Sequence, residues 1–290
     1  PMVQPVGTPD TTINTFNDYQ FHELDEYSLA YVGRRWFGDE FRIEENQTFD
    51  FEFPNLVTSS PVDFKIFVGA VTPVPNTSMS VSLNGSNIVN FTNFGIVEDA
   101  DIASGAQFEN QLLVNSSTLS VDLSYNNNGS PAANAFLDYI SIEATRDLAY
   151  VDKQFRFKNS AVASASGVVE YQISNASTIS EVWDVTDIYN VSSFINSDSD
   201  SDFSFKAQAG EERLYVALDP TDFYEPLRDS NSNVANQNIK GTIFQNGQGQ
   251  FQDVDYIIVT RSDMLSQANR LAQINRDRYG LNVKVYDLVN

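Results

Sequence analysis

Residue types restrict the chemistry this chain can do. Its 290 residues include one histidine, His22, and no cysteine. A thiolate nucleophile, a disulfide and a thiolate metal site are therefore excluded within it. One imidazole leaves a Ser-His-Asp arrangement barely available and puts a multi-histidine metal site out of reach. His22 is expected to be an ordinary surface or paired histidine. Carboxylates abound, with 39 acids against 17 bases. At that density an Asp/Glu pair of the glycosidase kind turns up anywhere and signals nothing by itself. The sequence therefore assigns no catalytic residue.

Two short stretches invite a binding role. In the first, Arg34-Arg35-Trp36-Phe37, a tryptophan and a phenylalanine sit between basic residues and Gly38-Asp39-Glu40. Such a loop suits stacking against a sugar or anchoring a protein partner. The plainer reading, and the favoured one, has Trp36 and Phe37 plugging one end of a β-sandwich while the arginines pair with nearby acids. In the second, Asn196-Ser-Asp-Ser-Asp-Ser-Asp202, carboxylates fall at every second position, as calcium ligands can. It fails as an EF-hand, because Phe203 stands where that loop needs glycine and Ala209 where it needs glutamate. A solvated hairpin loop between Phe194 and Phe203 is expected instead. No cofactor is expected, calcium being the single candidate.

The formal charge of −22 narrows the partners. Phosphate binding needs a cationic stripe, and none is visible, so nucleic acid is excluded. Docking on anionic lipid by charge is disfavoured for the same reason. A cationic partner is compatible with the charge. No run of 18 apolar residues exists, so no transmembrane helix is expected. The chain begins Pro-Met-Val-Gln-Pro without a signal sequence, which reads as a mature or trimmed form.

The elements that would position these residues are mostly strands. Residues 1–25 are polar, proline-bearing and without period, and read as a tail with a stray strand at Tyr19–His22. From 26 to 148 the period is two. Thr48–Phe53 puts three phenylalanines on one strand face, and Asp63–Val68 continues the pattern. Met79, Val81 and Leu83 alternate into Asn84-Gly85, a type I′ hairpin signal, and Ile88–Phe91 returns. Leu119, Val121 and Leu123 lead to Asn126–Gly129, and Leu137–Ile142 closes the set. Short strands at this spacing predict an antiparallel β-sandwich of jelly-roll type. Residues 149–222 predict a second, smaller β domain of about five strands, with a capped helical turn around Asp184–Tyr189. Residues 223–250 read as a connector with one strand at Thr242–Phe244.

Residues 251–290 change period. Asp255–Thr260 is an apolar run, Met264, Leu265, Ala268, Leu271 and Ala272 recur at helical spacing, and Leu281–Tyr286 alternates. Ser262 offers an N-cap and Gly280 a C-cap. Strand, helix and strand make a βαβ unit with parallel strands. Such a unit cannot bury itself, so these residues read as the incomplete opening of an α/β domain.

The last residues also carry a resemblance. Asp253–Thr260, Gln267–Ala272 and Tyr279–Val285 resemble the opening of the gingipain-type cysteine peptidase domain. Val32–Gly38, Phe51–Leu56, Leu137–Ser141, Tyr171–Ala176 and Val182–Tyr189 resemble, more narrowly, the sortases of the type IX secretion system of Bacteroidota. The resemblance runs from about Glu26 to the end. It implies a cysteine endopeptidase that removes the C-terminal signal domain of cargo proteins and attaches them to cell-surface lipopolysaccharide. The family's cysteine and histidine have no counterpart at any position of this sequence. What is implied for residues 1–290 is therefore a non-catalytic part, exported and outer membrane-associated at the cell surface. It would position the peptidase against cargo signal domains, or dock it on an outer-membrane barrel protein of the PorV type. The alternative is a free-standing β-sandwich binding module for glycan or protein.

Overall fold

The structure is a computed structural model and describes residues 1–29, 34–94, 103–228 and 243–287. They form two compact units, residues 1–224 and 225–290.

The first unit begins with two strands where a tail was expected. β1 (Thr11–Ile13) and β2 (Thr15–Glu23) precede β3 (Gly38–Phe41), β4 (Asn46–Glu52), β5 (Val62–Val71) and β6 (Thr77–Leu83). β7 (Ser86–Phe94), β8 (Ser104–Leu112), β9 (Thr118–Asn126) and β10 (Asn134–Asp147) follow. One sheet runs β3-β10-β5-β8 and the facing sheet β4-β9-β6-β7. That pairing of early with late strands is the connectivity of a jelly roll. Alternation builds its core. Phe64, Ile66 and Val68 of β5 and Ile140, Ile142 and Ala144 of β10 face Met79, Val81, Leu119, Val121 and Leu123, all buried. Asn84 and Gly85 both take positive φ, as the β6–β7 hairpin requires.

Residues 1–25 are a correction. β2 pairs with β10 over nine residues, Thr15 to Glu23 against Asp147 to Tyr139, on the same edge that β3 occupies further along. β1 leaves the sandwich and pairs in parallel with a strand of the second β layer. A β-strand with Phe16, Asp18, Gln20 and His22 on one face, and with Tyr19 and Phe21 left exposed on the other, has little periodic apolar signal. Its place is set by hydrogen bonds to a neighbour that lies over a hundred residues away.

The second β layer comprises β11 (Phe155–Phe157), β12 (Val168–Ile173), β13 (Glu181–Asp184), β14 (Ser192–Ile195), β15 (Phe203–Gln208) and β16 (Tyr215–Leu218). Its sheets run β1-β12-β15 and β11-β16-β13-β14. Between them lies an aromatic core: the rings of Phe157, Tyr171, Phe205 and Tyr215 are all within 6.4 Å of one another, centroid to centroid. Phe16, from β2 of the jelly roll, is buried in this second core. Residues 1–13 strap the same layer, with Met2 N–H donating to the Ser193 carbonyl and Asp10 N–H to that of Val168. Two local expectations change. Asn196–Asp202 links β14 to β15, which lie in different sheets, so it is a crossover and not a hairpin loop. Asp184–Tyr189 forms hydrogen-bonded turns on the Asp184 and Asp187 carboxylates, without a helix.

In the second unit β17 (Tyr256–Thr260) and β18 (Val283–Asp287) pair in parallel, joined by α1 (Leu265–Tyr279). Gly280 ends α1 with φ +68° and its N–H donates to the Arg276 carbonyl. Ala268 and Ala272 are buried, so the helix lies close on small side chains. Ser262 does not cap α1. It starts a 3₁₀ turn and its hydroxyl bonds Asp287 Oδ2 at 2.7 Å. Ile257 and Val259 alternate with Ile258 and stay exposed. The expected connector strand at Thr242–Phe244 begins outside the described residues; Gln245 instead bridges Phe251. Val32, Gly33 and the polar runs 229–233 and 237–241 also lie outside them.

Candidate functional site

The Arg34–Phe37 segment enters β3 at the edge where β2 and β3 share β10. Two bulges shape that edge. On β3, Asp39 is the extra residue between Gly38 and Glu40 opposite Leu137 and Phe136, with φ +38°. On β10, Asp138 is the extra residue opposite Val68 and Phe67 of β5. A bulge re-aims the side chain it inserts, and each of these aims a carboxylate at a base. Asp39 Oδ2 lies 2.7 Å from His22 Nε2, and Asp138 is paired with the Arg35 guanidinium. Asp138 is 5% exposed. Burial pushes its carboxyl above the usual range, and Arg35 pulls it part of the way back.

The four residues of the segment separate in role. Phe37 is buried, 6% exposed, and exchanges backbone hydrogen bonds with Tyr27 at 2.7 and 2.8 Å. Its ring lies between those of Phe67 and Phe136, at 6.3 and 6.5 Å. Gly69 makes the room, since a Cβ there would come within 2.7 Å of the Phe37 ring. Arg35 stacks its guanidinium 3.7 Å above the Phe67 ring centre as well as pairing with Asp138. Trp36 stays 46% exposed and Arg34 is exposed beside it. A hollow of about 380 Å³ opens there, lined by Arg34, Arg35, Trp36, Glu23, Asp138 and Tyr139, with Asp25 at its rim. Arg35 and Phe37 thus hold the end of the sandwich, and Arg34 and Trp36 are presented to solvent.

His22 packs its ring 4.6 Å from that of Phe49, and its one polar side-chain partner among the described residues is Asp39. Among the described residues no hydroxyl bonds it. Among the described residues no group of three or more His, Asp or Glu is placed to hold a metal ion. In the Asn196–Asp202 stretch Asn196 does the structural work. It is buried, its amide donates to the carbonyls of Ala176, Ile179 and Asp200 at 3.1 to 3.2 Å, and its Oδ1 accepts from Asp200 N–H. Asp198, Asp200 and Asp202 are exposed around it.

Two features were not singled out from sequence. One is an open groove of about 930 Å³ beside the β11-β16-β13-β14 sheet, with Phe155, Trp183, Ile188, Val216, Phe223 and Tyr224 along it. Trp183-Asp-Val-Thr-Asp-Ile188 carried the signal, an aromatic and an aliphatic residue spaced along one strand and its exit turn. The other is the outer face of β2, where Tyr19 and Phe21 stack in the open. Their alternation with Gln20 and His22 was legible only as a stray strand.

Fold and residue content together define a class: a mainly β, cysteine-free chain in which a jelly roll is joined to a smaller β layer and followed by a βαβ unit. That is also the fold of part of a larger protein of solved structure. The chain is similar to dimeric latent PorU from Porphyromonas gingivalis, with a TM-score of 0.66 at 20% identity over 97% of this chain and 26% of that one. It thus spans about a quarter of the length of that protein. Weaker likenesses are to the CBM36-1 domain of a multidomain xylanase from the hindgut metagenome of Trinervitermes trinervoides and to the insecticidal delta-endotoxin Cry8Ea1 of Bacillus thuringiensis. The first has a TM-score of 0.28 at 11% identity over 43% of this chain and 96% of that one. The second has 0.27 at 14% over 36% and 19%. No protein-family model and no curated protein matches the chain in sequence. Among the described residues no helix is long and apolar enough to cross a membrane.

Proposed function

We propose that residues 1–290 are a non-catalytic part of a PorU-like sortase of the type IX secretion system. In this reading the parent protein is a cysteine endopeptidase of the gingipain kind. It removes the C-terminal signal domain of cargo and passes the new carboxyl end to cell-surface lipopolysaccharide. A thioester intermediate explains how one site does both, because an amine attacks it as readily as water does. The present residues supply no thiol to that step. Their role is placement: they hold the peptidase at the outer membrane on a PorV-like barrel and orient it toward cargo.

The observation that supports this reading is the extent of the PorU likeness. It runs over 97% of the chain, and so takes in both the β unit and the βαβ unit. A likeness to a sandwich alone would leave residues 251–290 unexplained. The test is a pair of measurements on purified residues 1–290. Incubated with fluorogenic peptides, the protein is expected to release no fluorophore, with or without a thiol blocker. Mixed with a PorV-type barrel in detergent, it is expected to co-elute on size exclusion. Thiol-blocker-sensitive hydrolysis, or failure to bind the barrel, would overturn the assignment.

A further inference from the structure

The outward face of the β2-β10-β5-β8 sheet carries a site of its own. Residues directly opposite in antiparallel strands point to the same side, so the register gives its layout. Glu23, Tyr139, Phe67 and Gln107 form one row across the four strands. Phe21, Ser141, Lys65 and Glu109 form the next, and Tyr19, Glu143, Asp63 and Gln111 the third. Tyr19 and Phe21 stack with centroids 6.0 Å apart, and are 54% and 61% exposed. A hollow of about 410 Å³ lies among Tyr19, Asp63, Lys65, Glu109, Ser141 and Glu143, and the hollow beside Trp36 opens at the Glu23–Tyr139 end.

This face has a surplus of unpaired acid. Three carboxylates and one lysine line the first hollow, three carboxylates and two arginines the second. Lys65 is taken up by Glu109 and Arg35 by Asp138. Among the described residues the carboxylates of Glu23, Asp25 and Glu143 have no hydrogen-bond or ion-pair partner. The hydroxyl of Ser141, a residue 5% exposed at the floor of the first hollow, also has no hydrogen-bond partner among them. Open rings beside free carboxylates complement a cation that carries a flat or alkyl body. The molecule already shows that mode in Arg35, whose guanidinium lies on Phe67 and pairs with Asp138, and in Arg146, which lies over Phe16 and pairs with Asp18.

We propose that this sheet face docks a basic, extended segment of a partner polypeptide. Side chains of its alternate arginines or lysines lie over Tyr19, Phe21 and Tyr139, and pair with Glu143 and Glu23. The spacing agrees: an extended chain presents every second side chain about 6.8 Å apart, which is the spacing of rows along a strand. The proposal does not depend on the sortase reading and stands or falls separately.

The test uses the whole 290-residue chain and a fluorescent octapeptide of alternating arginine and serine, read by anisotropy. Binding is expected, and added salt should weaken it. The double variant Tyr19→Leu/Phe21→Leu keeps every charge, and is expected to bind roughly tenfold more weakly from lost ring contacts. Glu143→Gln is expected to weaken binding severalfold, while Trp183→Leu, on the other β layer, should leave it unchanged. Circular dichroism and melting establish that each variant is folded. Unchanged binding by the ring variant would mean diffuse attraction to an acidic protein, and would overturn the proposal. So would binding of a neutral hexasaccharide that is lost in the same variant while the arginine peptide does not bind.

Discussion

The guanidinium of Arg35 lies 3.7 Å above the centre of the Phe67 ring. The two residues come from a loop and from β5, and the contact joins the edge of the jelly roll to its outer face. It also holds Arg35 against Asp138, whose carboxylate is buried at the β10 bulge. Removing the arginine leaves that charge without a counterion. Arg35→Met is expected to cost about 1–3 kcal/mol near neutral pH, the penalty for a buried polar group left unpaired. Burial already holds the Asp138 carboxyl above its ordinary value, and loss of Arg35 drives it higher. For an acid raised in the folded state, the deficit disappears as pH falls through the folded value. The cost should therefore shrink in mildly acidic buffer, as urea melts of both proteins would reveal. A cost independent of pH would assign the loss to the ring contact alone.

Gly69 faces Phe37 across the same edge. A methyl group there would sit 2.7 Å from a ring that is itself wedged against Phe67 and Phe136. Gly69→Ala is expected to destabilise the chain by about 1–3 kcal/mol, as overpacking does. Because Phe37 anchors the segment that presents Trp36, the tryptophan emission of the variant should shift as well.

Phe16 ties the two β layers of the first unit together. It belongs to β2, yet its ring is buried with Phe155 and Phe157 of the second layer, and Arg146 sits 5.1 Å above it. Phe16→Ala is expected to cost about 3–5 kcal/mol, the range for a large aromatic core truncation. Deleting residues 1–23 should do more. It strips an edge from β10 and leaves its N–H and C=O groups open, so the shortened protein should aggregate on light scattering.

Alkaline stability follows from Tyr171 and Tyr215. Burial pushes the Tyr171 phenol up to about 12 and raises Tyr215 as well. An acid raised in the folded state stays protonated there while the unfolded chain ionises near its ordinary value of 10.0. Stability is therefore whole below that pH and falls as pH climbs from it toward the folded value. Each such phenol costs about 1.4 kcal/mol per pH unit across that window. Thermal melts through this range should show the fall, and Tyr171→Phe should flatten part of it. A melting temperature that stays level across that window would contradict the buried, neutral phenol.

Much of the jelly roll was legible because its strands alternate on a short period. Thr48–Phe53, Asp63–Val68, Met79–Leu83 and Leu119–Leu123 lie within β4, β5, β6 and β9, with β4 closing at Glu52. Each buries one side against the facing sheet, so the apolar positions had to recur at every second residue. Asn84-Gly85 and Gly280 were equally legible, since each needs a backbone conformation that few other residues accept. β1, β2, β8 and β14 carry too few apolar residues for that signal. Their place depends on the partner strand.

Composition by itself decided what chemistry this chain lacks and what charge it carries. No fold adds a thiol to a sequence without cysteine, and no packing alters 39 acids against 17 bases. Tertiary structure alone decided which charges are taken up and which are free. Arg35 and Asp138 are 103 residues apart and meet only because a bulge on β10 turns one carboxylate inward. The row of Tyr19, Glu143, Asp63 and Gln111 draws on four strands and exists only through their register. A one-residue slip in any pairing would turn those side chains into the core, and no local pattern in the sequence states which register the hydrogen bonds will choose.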